Sequence, residues 1–116
     1  MQTTNIQFRD LTFPVVTNDN RLDQETIIQG LDCLLPPKKL IPTGIELILI
    51  DCLNTPYGTQ WTLHFTFDQG SDDLDFAKDF ASDIETYILE NEEGIPIVHK
   101  IIDPTYRTLT IIYHAG

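Results

Sequence analysis

Carboxylates dominate the residues of this chain that could do chemistry, and most of them fall in one segment. Residues 68–94 contain ten acidic residues and a single basic residue, Lys78, for a net charge of −9. The whole chain of 116 residues has a formal net charge of −11, so the other segments together contribute only −2. The acidity therefore belongs to one region rather than to the whole surface.

A helix through this segment would align six of its acids. At about 100° of rotation per residue, they fall within a stripe on the order of 80° wide, roughly opposite the apolar positions. Neighbours three or four residues apart rise roughly 5 to 6 Å along the axis, which is comparable to the phosphate spacing of one nucleic-acid strand. These predicted partner-binding residues are Asp72, Asp75, Asp79, Asp83, Glu90 and Glu93.

Two interpretations fit this predicted stripe. Like charges at i,i+4 cost a helix a few tenths of a kcal/mol per pair, which favours a functional reason for keeping them on one helix. The alternative is a solvated acidic face in a salt-adapted protein, although salt adaptation would spread acids over every surface element. We predict a non-enzymatic acidic binding protein that inhibits or neutralises a basic nucleic-acid-handling protein such as a nuclease. Known strategies of this kind are nucleic-acid mimics, nuclease immunity proteins and phage-encoded anti-defence inhibitors of the anti-CRISPR type.

Other chemistry has weaker support in the sequence. The acids of residues 68–75 lie beside a glycine but do not follow the EF-hand order, so no metal site is predicted. His64, His99 and His114 lie on predicted strands and could converge on one sheet face as a general base or a three-histidine metal site. A small histidine-dependent enzyme is therefore a less favoured alternative. Without a nucleophile, zinc-protease or phosphate-loop motif, we predict no enzyme, no catalytic residues and no cofactor.

Charge and composition also limit the surroundings of the protein. The excess of acids disfavours direct binding to nucleic acid and to anionic membranes. No apolar run approaches the roughly 20 residues needed to span a bilayer and the first residues do not form a signal peptide, so a cytoplasmic location is expected. Cys33 and Cys52 are predicted to be free thiols, with a disulfide between them left open.

Seven elements are predicted to position these residues within a single domain spanning residues 1–116. An irregular strand covers residues 6–16, where Pro14 indicates an edge or a bend. A first helix is capped by Asp23 and ends before Pro36. An apolar strand at 45–53, buried on both faces, precedes an alternating strand at 60–68. A second helix, capped by Ser71, ends at Gly94, and strands at 95–102 and 107–114 form a C-terminal hairpin.

This order predicts an α+β fold. The first six elements match the ferredoxin-like β-α-β-β-α-β arrangement, in which two helices cover one face of an antiparallel sheet, here with an extra C-terminal strand. The apolar C-terminal hairpin also suggests a second functional class. In this alternative, the protein is a structural or assembly subunit that forms a homo-oligomer through that hairpin.

Overall fold

A computed structural model describes residues 2–18, 23–37, 40–67, 74–92 and 97–114. It shows an α+β protein with a six-stranded mixed sheet and two helices. The elements are β1 (Gln2–Phe8), β2 (Leu11–Thr17), α1 (Gln24–Leu34), β3 (Ile45–Thr55), β4 (Gly58–Phe67), α2 (Leu74–Asn91), β5 (Ile97–Asp103) and β6 (Thr108–His114).

Three antiparallel hairpins lie side by side in the sheet, whose strand order is β1-β2-β3-β4-β6-β5. The helix α1 connects β2 to its parallel neighbour β3, and α2 connects β4 to the last hairpin. The predicted ferredoxin-like topology is not confirmed, because the strand order differs. The two strands that flank α1 are direct neighbours here, whereas a split β-α-β unit places another strand between them.

The predicted strand at 6–16 is in fact the hairpin of β1 and β2. Arg9 adopts a left-handed conformation with φ of 58° in the turn between them, a position that no glycine marks in the sequence. Pro14 lies inside β2, which is not an edge strand because it pairs with both β1 and β3. Pairing with β3 begins only at Val15, so the missing N–H of Pro14 does not interrupt that parallel ladder.

The short ladder between β2 and β3 is extended by one side chain. Only three residue pairs form it, from Val15 opposite Ile50 to Thr17 opposite Cys52. Beyond them, the Asn18 amide donates to the carbonyl oxygen of Asn54 at 2.9 Å, and the Asn54 N–H donates to Asn18 Oδ1 at 2.8 Å. The side-chain amide therefore replaces a further strand residue.

Both helices begin and end close to the predicted positions. Asp23 caps α1, because its Oδ1 accepts the Thr26 N–H at 2.8 Å. The predicted cap of α2, Ser71, lies outside the described residues. Neither described helix combines the length and the apolar character needed to cross a lipid bilayer.

The hydrophobic core lies between the helices and one face of the sheet. Trp61 approaches α1 at Gly30, and Phe65 packs edge to face against Phe80 of α2 with ring centroids 5.3 Å apart. Trp61 and Phe65 point to the same face of β4 because they are four residues apart in a strand. The two helices therefore cover one face of the sheet, as the sequence predicted.

The opposite sheet face carries no layer of described residues. The prediction that the strand at 45–53 is buried on both faces is therefore wrong for one of them. Although β3 is central, Ile48 is 42% exposed, and Leu49 and Leu53 are only half-buried. A register shift between Leu47 and Leu49 marks an irregularity at this point of the strand. We call this surface the open face.

The close packing of α1 on β4 leads to a prediction at Gly30. A Cβ at this position would lie 2.6 Å from Cζ2 of Trp61 and 2.9 Å from Cη2, closer than real Cβ contacts. The indole is rigid and only 8% exposed, so we expect Gly30→Ala to lower the free energy of unfolding by about 1–2 kcal/mol. In an open helical position, alanine would instead raise the free energy of unfolding by about 1 kcal/mol relative to glycine. The sign of the change, measured by urea unfolding, therefore distinguishes the two situations.

The control for this substitution is Gln29→Ala, at the exposed neighbouring position of α1. It should leave stability unchanged to within about 0.5 kcal/mol. A gain in stability for Gly30→Ala would contradict the close contact with Trp61.

Candidate acidic interaction surface

The packing of α2 decides which of its acids face outward. Its core side is formed by five buried residues, Ala77, Phe80, Ala81, Ile84 and Ile88. The acids on the opposite side are exposed, as expected from the helical period. We call Asp75, Asp79, Asp83 and Glu90 the acid stripe. It extends for about 22 Å along the helix axis, because each residue contributes about 1.5 Å.

The structure brings these four predicted residues together on one exposed surface. The other two predicted members, Asp72 and Glu93, lie outside the described residues. Stripe members follow one another at four-residue intervals from Asp75 to Asp83, so each of these three carboxylates has a like charge one helical turn away, and Glu90 follows two turns after Asp83. The surface is therefore a line of repeated carboxylates on one side of α2.

Two further acids of the same segment point elsewhere. The carboxylate of Glu85 accepts a hydrogen bond from Lys100 Nζ of β5 at 3.1 Å. Glu92, just after the last turn of α2, interacts with the hydroxyl group of Tyr113. The acidic segment is thus divided between an outward surface and contacts that join α2 to the last hairpin.

Burial controls the ionisation of Tyr113 and of both cysteines. Burial, together with the charge and hydrogen bond of Glu92, raises the pKa of Tyr113 to about 12. Both cysteines are free, and burial raises the pKa of the Cys52 thiol to about 11. The pKa of Cys33 is raised by burial and by the charges of Glu92 and Asp32. Both thiols are therefore protonated at neutral pH and are poor nucleophiles.

A groove of about 300 Å³ borders the acid stripe on the side of α1. It lies between α2 and the chain that follows α1, and the Tyr87 hydroxyl beside it donates to the backbone oxygen of Asp32 at 2.9 Å. Leu40, at its rim, is 57% exposed. The residues that line the groove are Pro36, Leu40, Phe80, Asp83, Thr86, Tyr87 and Glu90. An apolar surface thus lies directly beside two carboxylates of the stripe.

The sequence did not predict this groove, because it joins residues that are distant along the chain. The signal that could have indicated it is the pair of prolines after α1. They follow the end of the helix, and Pro36 lines the groove together with residues of α2.

The three histidines lie on the open face but do not form one site. His64 Nε2 lies 2.8 Å from Asp51 Oδ2, with both side chains partly exposed. The rings of His99 and His114 meet edge to face, with centroids 6.5 Å apart. His64 is opposite Thr110 in the β4–β6 ladder, whereas His114 is opposite Gln60, so the two sets are separated along the strands.

No group of three or more histidine, cysteine or carboxylate side chains is placed to hold a metal ion within the part of the chain that the structure describes. The acids of residues 68–73, which superficially resemble a calcium loop, lie outside that part.

No protein-family model, curated protein or solved structure matches this chain. A line of exposed carboxylates attracts cations and basic protein surfaces over several ångströms, and an adjacent apolar groove adds short-range contact.

Proposed function

We propose that this protein is a non-enzymatic acidic binding protein that inhibits or neutralises a basic nucleic-acid-handling protein. The observation that carries the proposal is the acid stripe on the outer side of α2. Its four members are exposed and lie on the side of the helix away from the core. The partner is a nuclease or another protein whose own surface is built to hold phosphates.

The expected mechanism is competition for a phosphate-binding surface. From Asp75 to Asp83 the stripe presents negative charges at intervals of roughly 6 Å along the helix, and these can occupy the basic side chains that otherwise contact phosphates. Such attraction mainly accelerates association and orients the partners. The net charge of −11 extends the attraction beyond the stripe itself.

Charge alone does not select one basic protein among many. The groove beside Asp83 and Glu90 supplies short-range contacts, because Leu40 and Tyr87 offer apolar surface next to the carboxylates. Binding energy in protein interfaces usually concentrates in such a buried centre, surrounded by polar contacts. The groove therefore favours a partner with an apolar or aromatic side chain close to its basic surface.

A second candidate function is that of an assembly subunit that associates with copies of itself. It is favoured by the position of β5 at the edge of the sheet and by the exposure of Ile97 and Ile101, each 53% exposed. This candidate does not require the acid stripe.

A capture experiment tests the main proposal. The full chain is immobilised and exposed to host-cell lysate at about 50 mM salt, and bound proteins are eluted in steps to about 1 M, a range over which screening becomes severe. We expect a basic nuclease or other nucleic-acid-binding protein to elute with salt. Added DNA or RNA should displace the captured protein, because the nucleic acid and the acid stripe would compete for the same phosphate-binding surface.

Displacement by nucleic acid distinguishes inhibition from unspecific attraction. A partner that elutes with salt but is not displaced by DNA or RNA would contradict competition at the phosphate-binding surface. Recovery of the protein alone would contradict the proposal and favour the assembly function.

A further inference from the structure

The two edges of the sheet differ in the side chains that they present. On the open face, β1 carries the exposed polar residues Thr3 and Asn5. On the same face, β5 carries Ile97 and Ile101, each 53% exposed. Natural proteins usually protect an edge strand with polar or charged side chains, because its unpaired backbone groups can bind another strand. The edge at β1 follows this rule on the open face, whereas β5 combines the charged or polar side chains of His99, Lys100 and Asp103 with the two exposed isoleucines.

The register of the last hairpin establishes which β5 residues share the open face. Ile101 is opposite Thr110, and Thr110 is opposite His64, which lies on the open face. Residues directly opposite one another in an antiparallel pair point to the same side. Ile97, His99 and Asp103 therefore also point to the open face, while Lys100 points to the helix side, where it contacts Glu85.

Only a few registers are possible if β5 pairs antiparallel with β5 of a second copy. In such a pairing, residues on the same face of the two strands lie opposite each other. The two-fold axis therefore passes between one residue of β5 and the same residue of the second copy. An axis at Lys100 would place two lysine side chains opposite each other, which is unfavourable. An axis at His99 would pair Ile97 with Ile101, but it would place Asp103 opposite residue 95, outside β5. An axis at Ile101 places Ile101 against its own copy and His99 against Asp103 of the second copy.

The register centred on Ile101 places an apolar side chain on the axis and a hydrogen-bond donor opposite an acceptor. Asp103 Oδ1 accepts the backbone N–H groups of Thr105 and Tyr106 at 2.9 and 3.3 Å, so its carboxylate is held at the end of the strand. A histidine N–H of the second copy can donate to that carboxylate. We propose that this protein forms a two-fold dimer by antiparallel pairing of β5 with β5 of a second copy, centred on Ile101.

The charge distribution around β5 suits such a contact. Lys78, the one base of the acidic segment, and Lys100 line a hollow of about 330 Å³ between α2 and β5, together with Ser82. The acid stripe lies on the other side of α2, toward the groove lined by Leu40 and Tyr87. The side of α2 that would approach the second copy is therefore its least negative side.

The dimer is expected to be weak and to respond to salt. Pairing of five residues per strand buries less than the roughly 1,200–2,000 Å² of a stable interface, so we expect a dissociation constant in the micromolar range. Each copy carries a net charge of −11, and added salt screens their mutual repulsion. Dimerisation should therefore strengthen with salt, whereas binding by the acid stripe should weaken. The dimer specifies the self-association of the second candidate function, and it does not depend on the proposed inhibition of a basic protein.

Sedimentation equilibrium of the full chain from about 10 µM to about 1 mM tests the proposal. We expect Ile101→Lys and Ile101→Glu each to weaken dimerisation at least about 10-fold, because like charges would meet on the axis. An equimolar mixture of the two variants should form a heterodimer with an affinity within about 3-fold of the original dimer at about 0.15 M salt. Ile101 is half exposed in the monomer, so both variants should fold.

The control is Asn5→Lys, an exposed mid-strand substitution on the opposite edge, which should leave the dissociation constant unchanged. A monomer at about 1 mM, or a dimer that Ile101→Lys leaves intact, would overturn the proposal. Two monomeric variants that fail to associate when mixed would overturn the register centred on Ile101.

Discussion

Reversing three charges of the acid stripe is expected to abolish binding to a basic partner while the fold persists. Asp75, Asp79 and Asp83 are exposed on the outer side of α2, and changing all three to lysine replaces attraction by repulsion. We expect the affinity for the captured partner to fall at least about 100-fold at about 50 mM salt, equivalent to about 2.7 kcal/mol. Surface plasmon resonance should show most of the loss as slower association, since exposed charges act mainly on the encounter.

The matched control changes the net charge by the same amount elsewhere. Asp10, Glu25 and Glu46 are exposed outside α2, and reversing them to lysine should weaken binding far less. Circular dichroism and urea unfolding would establish that both triple variants keep their fold. Equal losses of affinity in the two variants would mean that only the overall charge matters. Unchanged affinity in the α2 variant would exclude the acid stripe as the binding surface.

The second large effect is expected at Arg9, which joins the first hairpin to the end of α1. Its guanidinium donates to the backbone oxygens of Pro36 and Leu35 at 2.8 and 3.3 Å, lies 3.5 Å from Asp32 and stacks 4.4 Å above the ring of Phe8. Arg9→Ala removes these contacts and leaves carbonyl groups of two buried residues without their donor. We expect the free energy of unfolding to fall by about 2–3 kcal/mol in urea denaturation.

Alanine carries a Cβ as arginine does, so the left-handed backbone at this position is equally unfavourable in both proteins. The substitution therefore isolates the side-chain contacts. Lys78→Ala makes the same change in net charge at an exposed site of α2 and should alter stability by less than about 0.5 kcal/mol. Similar results for the two variants would show that Arg9 contributes only its charge.

Local patterns in the sequence predicted most of the elements. The alternation of Trp61, Leu63 and Phe65 gave the correct buried side of β4, and Asp23 marked the start of α1. These features depend on residues that are close together in the sequence, and a periodic pattern contains information about such residues. The outward direction of the acid stripe followed from the same periodicity of α2.

Features that depend on contacts distant in sequence were not predicted. The turn at Arg9 has no glycine, and its left-handed backbone is held by contacts with α1 more than twenty residues later. Local patterns could not predict the strand order, because β4 pairs with β6 rather than with β5, the next strand along the chain. The apolar run of β3 suggested burial on both sides, but no described element covers the open face.

The arrangement as three hairpins has a consequence for how the native sheet opens. Each hairpin is closed by contacts near in sequence. Among the described residues two strand ladders, here called seams, join neighbouring hairpins: three residue pairs between β2 and β3 and seven between β4 and β6. The first seam is reinforced by Asn18, and the hairpin is also held by Arg9. Because its seam is the shorter one, we expect the backbone amides of the N-terminal hairpin to exchange with solvent through partial opening, at a lower free energy than complete unfolding.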